Sequence, residues 1–161
     1  MSDSEQFARL PRALLRIPVP WVFVLTYLIG AGLEGIFLPG RLTEYQILTP
    51  AGSAVFVIGA ALAGWGWLMF HRAGTTRVPG ETSTALVTWG PYRFTRNPMY
   101  LGLSVAYAGE AGILHHIIPV ILLPLTVAYL NRVVIPVEEK RLRAVFGADY
   151  ERYANRVRRW L

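Results

Sequence analysis

The stretch GPYRFTRNPMYLG, Gly90 to Gly102, puts Arg93, Arg96 and Asn97 just ahead of Pro98, with Tyr92 and Tyr100 to either side. Proline suits the first turn of a helix, where its missing N–H has no intrahelical role. Arg96 and Asn97 would then stand at the positive dipole end of that helix, where an anionic group such as a carboxylate is favoured. Further along, VEEKRLRAVFGADYERY offers the adjacent acids Glu138 and Glu139. Carboxylates in such a place accept hydrogen bonds from an ammonium group or from ribose hydroxyls.

Each constellation also has a plainer reading. The arginines can anchor a helix to lipid phosphates while Tyr92 and Tyr100 form an aromatic belt. Glu138 with Arg141, and Glu139 with Arg143, can be pairs on a helix surface worth ~0.2–0.5 kcal/mol each. Spacing alone does not separate these readings.

The elements that must position these residues follow from composition. The chain has 161 residues, 53% hydrophobic and only 16% charged, with a net charge of +6 and no cysteine. An ordinary soluble domain is about 25% charged. Without cysteine there is no disulfide, thiol catalysis or cysteine metal site. The positive charge lies between long apolar runs and forms no continuous stripe, which fits basic loops at lipid headgroups and not a nucleic-acid surface.

Four runs are apolar enough to be membrane spans at ~20 residues per crossing. They are Ile17 to Leu38, Ala51 to Phe70, Pro98 to Leu114 and Ile117 to Val134. The expected fold is therefore all-α: a single polytopic membrane domain of four transmembrane helices. His115-His116 alone separates the last two spans, so these form a tight antiparallel hairpin. Adjacent histidines without further ligands make a poor metal site, and no metal is expected. The acidic-containing start MSDSEQ has no small-residue cleavage site after it, so the first run reads as a retained span. Arg9, Arg12, Arg16, Arg72, Arg77, Arg93, Arg96 and the arginine-rich tail fall on one side, leaving only Arg41 on the other. Positive residues stay in the cytoplasm, so both termini are expected there.

Pro136 is expected to bend or end the fourth helix. Beyond it Leu142, Val145, Phe146, Tyr150, Tyr153, Val157 and Trp160 recur at helical steps, giving an amphipathic tail with arginines toward lipid phosphates. Gly147 reads as a C-cap, and Asp149 as the cap of a second short helix. The hairpin brings the start of the third helix beside the end of the fourth, so Arg96, Asn97 and Tyr100 should meet Glu138 and Glu139. Glu34 and Glu110 lie in the outer halves of their spans; an acid at such depth is a functional suspect, but the glycines flanking Glu110 suit a structural or protonated side chain.

The runs TALVTWGPYRFTRNPMYLG and EEKRLRAVFGADYERYANRVRRW, in that order and separated by one apolar hairpin, resemble the isoprenylcysteine carboxyl methyltransferase family. Phospholipid N-methyltransferases and bacterial homologues are similar over the same region. The resemblance covers about the last half of the chain, plus HRAGTTRVPG before it. It implies S-adenosylmethionine held at the cytoplasmic mouth of a helical bundle without a Rossmann domain, and no strand-flanked Gly-x-Gly-x-x-Gly occurs in the chain. It further implies a small or lipidic amphiphilic methyl acceptor, in the first instance a carboxylate, and residence in a membrane, in a bacterium the inner one.

Carried over by position, the resemblance places Thr84, Ala85, Leu86, Val87 and Tyr92 along the cofactor. The family's His-Pro-x-Tyr motif corresponds to Asn97, Pro98, Met99 and Tyr100, with Gly102 allowing close helix approach. Asn97 in place of histidine keeps hydrogen bonding but removes a titratable base. Glu138 would touch the cofactor, with Glu139 beside it, so that the cofactor segments are about residues 75–102 and 132–153. Arg96, Arg132 and Glu139 are the catalytic candidates; Arg132 is the nearest equivalent of the family's substrate-carboxylate arginine, whose own position holds Val134. Thiol or amine methylation is the neighbouring alternative. An NADPH-dependent membrane reductase and a non-catalytic scaffold are the competing classes, the reductase disfavoured by the lack of extra spans and of a basic site for a 2′-phosphate.

Overall fold

The computed structural model describes residues 18–38, 47–74 and 85–161. These form helices α1 (Val19–Phe37), α2 (Leu48–Arg72), α3 (Pro98–Leu114), α4 (Ile118–Tyr129), α5 (Ile135–Phe146) and α6 (Ala148–Arg156), with a 3₁₀ turn at Gly90–Arg93. Among the described residues there is no strand. A π-helical segment, Leu130–Val134, joins α4 to α5 without a break. Among the described residues, three helices are long and apolar enough to cross a membrane: Val19–Phe37, Leu48–Arg72 and the continuous Ile118–Phe146. Helix α3, at 17 residues, is shorter than these. Arg9, Arg12, Arg16, Arg41 and Arg77, on which the expected orientation partly rests, lie outside the described residues.

Helices α2 and α3 are antiparallel and meet backbone to backbone. Gly52, Gly59 and Gly66 recur every seventh residue of α2, and Gly102 and Gly109 do so on α3. A Cβ on Gly59 would stand 2.2 Å from the Ala106 nitrogen, and one on Gly102 would stand 2.4 Å from the Ala63 nitrogen. A Cβ on Gly52 would stand 2.6 Å from the Ile113 nitrogen and 2.7 Å from Gly109 O, and Gly66 lies against Met99. In a lipid environment, where apolar burial gives little drive, such small-residue faces are what lets helices approach closely. Gly64, by contrast, faces open space.

Helix α1 packs mainly on α4, where Gly30 admits the Pro119 backbone. A buried cluster of Phe23, Tyr27, Tyr100, Tyr107, Leu130 and Ile135 binds α1 to α3 and to the α4–α5 helix. The α3–α4 hairpin turns at His115, whose left-handed φ of 59° lets the chain reverse. Tyr27 and Thr49 hold this turn from two sides, pairing with His116 Nδ1 at 3.2 Å and His115 Nε2 at 2.9 Å.

Glu34 is buried, and its Oε2 accepts the backbone N–H groups of Ile117 and Ile118 at 2.8 and 2.9 Å. Orphan donors at the start of α4 are thus satisfied by a carboxylate from another helix, an N-cap supplied in trans. The role of this acid is structural. Glu34→Ala is expected to destabilise the folded protein by about 1–3 kcal/mol, since it strands two N–H groups. Glu34→Gln, which keeps an acceptor oxygen, should recover most of that. Thermal unfolding of the detergent-purified variants checks this; an alanine variant as stable as the parent would dismiss the cap.

Two expectations are corrected. Pro136 does not end the fourth helix. The π segment shifts the hydrogen-bond register just ahead of it, with the Ile135 N–H reaching Leu130 O, so Pro136 falls in the first turn of α5, where a missing N–H is tolerated. Asp149 is also not a cap: α6 begins at Ala148, after Gly147 at φ 49°, and Asp149 lies within its first turn, ion-paired to Arg152.

Candidate active site

At the end of the bundle where α2 finishes and α3 begins, an open cleft lies between the 85–97 segment, α5 and α6. Its wall is built by local rules. Gly90, at φ 63°, allows the 3₁₀ turn to pass Met69, which a Cβ there would meet at 2.9 Å. That turn buries Tyr92, and Tyr153 Oη donates to the Tyr92 carbonyl at 2.8 Å. Met69, Val87, Tyr92, Tyr150 and Tyr153 form one buried cluster that braces the cleft.

Ala85, Leu86, Val87, Tyr92, Arg96, Asn97, Glu138 and Glu139 line the cleft. Thr84 lies outside the described residues. Tyr100 stands just behind the lining and its hydroxyl donates to Glu138 Oε1 at 2.5 Å, which joins the start of α3 to α5. Pro98, Met99 and Gly102 lie elsewhere: Pro98 is buried at the helix start, and Met99 and Gly102 are in the seam against Gly66, Gly59 and Ala63. Arg132 is exposed in the π segment and does not line the cleft.

Glu139 is a hub. Its side chain is only 6% exposed, and its oxygens meet Arg96 Nη1 at 3.1 Å and Arg159 Nη2 at 2.8 Å, with Arg143 Nη1 at 3.9 Å. Arg159 adds a second bond from Nε, 3.0 Å, completing a bidentate fork. A buried carboxylate needs such pairing, because an isolated charge out of water is costly. The bond to Glu139 raises the already high pKa of Arg159, against burial. Arg96 Nη1 also donates to Tyr150 Oη at 3.3 Å. Burial foremost, then Glu139, pushes the Tyr150 phenol above its ordinary value, with Arg96 and Arg143 opposing, so it stays protonated near neutrality. Glu139 therefore stands as an anchor for guanidiniums. Of the helix-surface pairs, Glu139 with Arg143 is present at long range, whereas Glu138 faces Tyr100.

The lining residues that sequence reasoning passed over are Phe70, Ile135, Leu142, Tyr150 and Tyr153. Leu142, Tyr150 and Tyr153 belong to the helical apolar stripe of the tail, so their burial was legible and only their destination was missing. Arg159, grouped by composition with the lipid-facing tail arginines, is turned inward. Among the described residues, no group of three or more histidines and acids could hold a metal ion.

Chemically, the cleft combines apolar and aromatic walls, the carboxylate of Glu138 and the guanidinium of Arg96 within one partly buried space. It can receive a ligand having a flat apolar face, hydroxyl or cationic groups and an anionic end.

Residues 48–149 match the family described as phospholipid methyltransferase. The chain is 28% identical over 145 residues to a probable protein-S-isoprenylcysteine O-methyltransferase of Oryza sativa subsp. indica, covering 89% of this chain and 76% of that one. It is 29% identical over 126 residues to protein-S-isoprenylcysteine O-methyltransferase B of Arabidopsis thaliana, covering 77% of this chain and 64% of the relative. No solved structure matches significantly.

Proposed function

The chain belongs to the phospholipid methyltransferase family, and on that premise we propose that it transfers a methyl group from S-adenosylmethionine to the carboxylate of a lipid-like amphiphile, as in isoprenylcysteine O-methylation. The observation that carries this reading is the meeting of residues 85–97 with Glu138 and Glu139 in one cleft, at the end of helices apolar enough to cross a membrane. Relatives named for that reaction support the choice of acceptor.

The residues present fit the cofactor. Phe70, Leu86 and Leu142 offer apolar surface to an adenine, Glu138 suits ribose hydroxyls or an ammonium group, and Arg96 suits a carboxylate. When bound, S-adenosylmethionine supplies an activated methyl on a cationic sulfur, so the protein has only to orient the reactants and exclude water. Tyr100 fixes the Glu138 carboxylate by its hydrogen bond, and Glu139 fixes Arg96. Arg132, exposed on the π segment, is placed by this reading at the bilayer side, where it can draw an anionic acceptor. Helix α3 is taken as a fourth crossing, since it runs against α2 from Gly52 to Gly66. The positive-inside bias puts the cleft and both termini in the cytoplasm.

The purified protein is expected to bind S-adenosylmethionine and S-adenosylhomocysteine, and not NADPH, in isothermal titration. With labelled cofactor and a prenylcysteine acceptor, the label should be released as methanol by mild alkali, as an ester is. Alkali-stable label on phosphatidylethanolamine would instead assign N-methylation, and binding of neither adenosyl ligand would dismiss the methyl-transfer site.

A further inference from the structure

We propose that Arg159 is a positioning residue for cofactor binding, acting through Glu139 on Arg96 by way of a strap formed by the C-terminal segment. This rests on the cofactor reading of the cleft. After α6 the chain becomes extended at Val157 and crosses the 95–97 segment. Three donors of that segment meet strap carbonyls: the Arg96 N–H reaches Arg158 O at 2.9 Å, and Thr95 Oγ1 and Asn97 Nδ2 reach Arg159 O at 3.1 and 3.0 Å. Asn97 holds the N-cap position of α3, yet its side chain makes no cap and serves the strap. On the far side Arg159 Nη1 and Trp160 Nε1 share Asn131 Oδ1 in the π segment, at 3.2 and 3.1 Å.

The strap thus ties both walls of the cleft together, and Arg159 supplies the charge at its centre. Arg159 itself does not line the cleft, whereas Arg96, Asn97 and Glu139 do. Arg159 and Arg96 share the single carboxylate of Glu139, so these three side chains carry a net positive charge. Arg159 grips that carboxylate with a planar fork that fixes its orientation. Were Arg159 neutral, Glu139 would be left with Arg96 as its close partner and Arg143 at 3.9 Å, and this wall would lose one unit of positive charge. On this reading the ligand end that would depend on that charge is the cofactor's carboxylate, while the apolar walls would take its adenosyl part. Arg159 therefore sets affinity for the amino-acid end specifically.

The test compares two ligands on the full chain by isothermal titration: S-adenosylhomocysteine, which has the amino-acid carboxylate, and 5′-methylthioadenosine, which lacks it. Arg159→Gln is expected to weaken S-adenosylhomocysteine at least about tenfold, as loss of a charge-assisted interaction does, and to leave methylthioadenosine within about twofold. Arg159→Lys, which keeps the charge without the fork, should fall between, and Arg152→Gln, exposed on the same tail, should match the parent for both. Equal weakening of both ligands would make Arg159 merely structural and overturn the proposal, as would unchanged affinity. If Arg159→Gln does not fold, Arg159→Lys decides, and parent-like binding by it overturns the proposal. Failure of the parent to bind either ligand would instead reject the cofactor reading itself.

Discussion

Gly59→Ala should cost the folded protein about 3 kcal/mol or more, at or beyond the upper end of usual overpacking penalties, whereas Gly64→Ala should be neutral or stabilising by up to about 1 kcal/mol. Both changes add one methyl to the same helix, so helix propensity favours both. They differ in what the methyl meets. At Gly59 it would stand 2.2 Å from the Ala106 nitrogen, 2.6 Å from Gly102 O and 2.8 Å from the Ala106 Cα. All three are backbone atoms, which cannot swing aside as a side chain does, so α2 and α3 must separate. At Gly64 nothing lies within 4 Å. Separation would also carry the start of α3 away from α5 and stretch the hydrogen bond from Tyr100 to Glu138. Unfolding of detergent-purified variants, with S-adenosylhomocysteine titration on the folded fraction, measures both consequences. A Gly59→Ala protein as stable as Gly64→Ala would show that the two helices can part at little cost.

Glu138→Gln should weaken S-adenosylhomocysteine binding by about 10- to 100-fold, the loss expected when a hydrogen bond to a charged group becomes neutral. Arg143→Gln should change it by less than about threefold, in keeping with an exposed pair. Glu138 lines the cleft and is oriented by the Tyr100 hydroxyl, so its second oxygen is presented in one fixed geometry. Glutamine keeps an acceptor for Tyr100 but gives up the charge that draws a cationic ligand. Arg143 is 46% exposed and its closest ion pair, with Glu151 at 2.8 Å, lies on the surface. Titration of both variants beside Tyr100→Phe decides the point, and equal affinities for the two charge variants would remove Glu138 from the site.

Much of the helical frame was legible because its causes are local. Apolar runs near membrane length marked α1, α2 and α4, and Pro98 marked the start of α3 through its own ring chemistry. The meeting of Arg96 with Glu139 and of Tyr100 with Glu138 was also legible, since a tight hairpin must return the chain to the same level. What escaped the sequence was decided by distant partners. Glu34 looked like an isolated membrane acid because the groups that need it are backbone N–H groups of Ile117 and Ile118, which have no side-chain signature. Arg159 looked like one more headgroup arginine, since nothing in RVRRW distinguishes the residue that turns inward. The aromatic side of the cleft, from Tyr150 and Tyr153, required knowing that α6 folds back beneath Tyr92. Pro136 misled because the π segment ahead of it absorbs the break that proline usually imposes.

That π segment also sets an angle. A π turn takes about one residue more than an α turn, and one residue corresponds to about 100° around a helix. Everything after Val134 is therefore rotated relative to the direction an unbroken α-helix from Ile118 would have given it. Glu138 and Glu139 lie within the first turns of α5 and inherit the whole of that rotation. The compass bearing of both carboxylates, toward Tyr100 and Arg96, is thus written into five residues, Leu130 to Val134, only one of which, Asn131, makes a side-chain hydrogen bond to the strap. The same residues wound as an unbroken α-helix through that stretch would keep their apolar length and their charges, yet turn both acids by roughly 100° away from Tyr100 and Arg96.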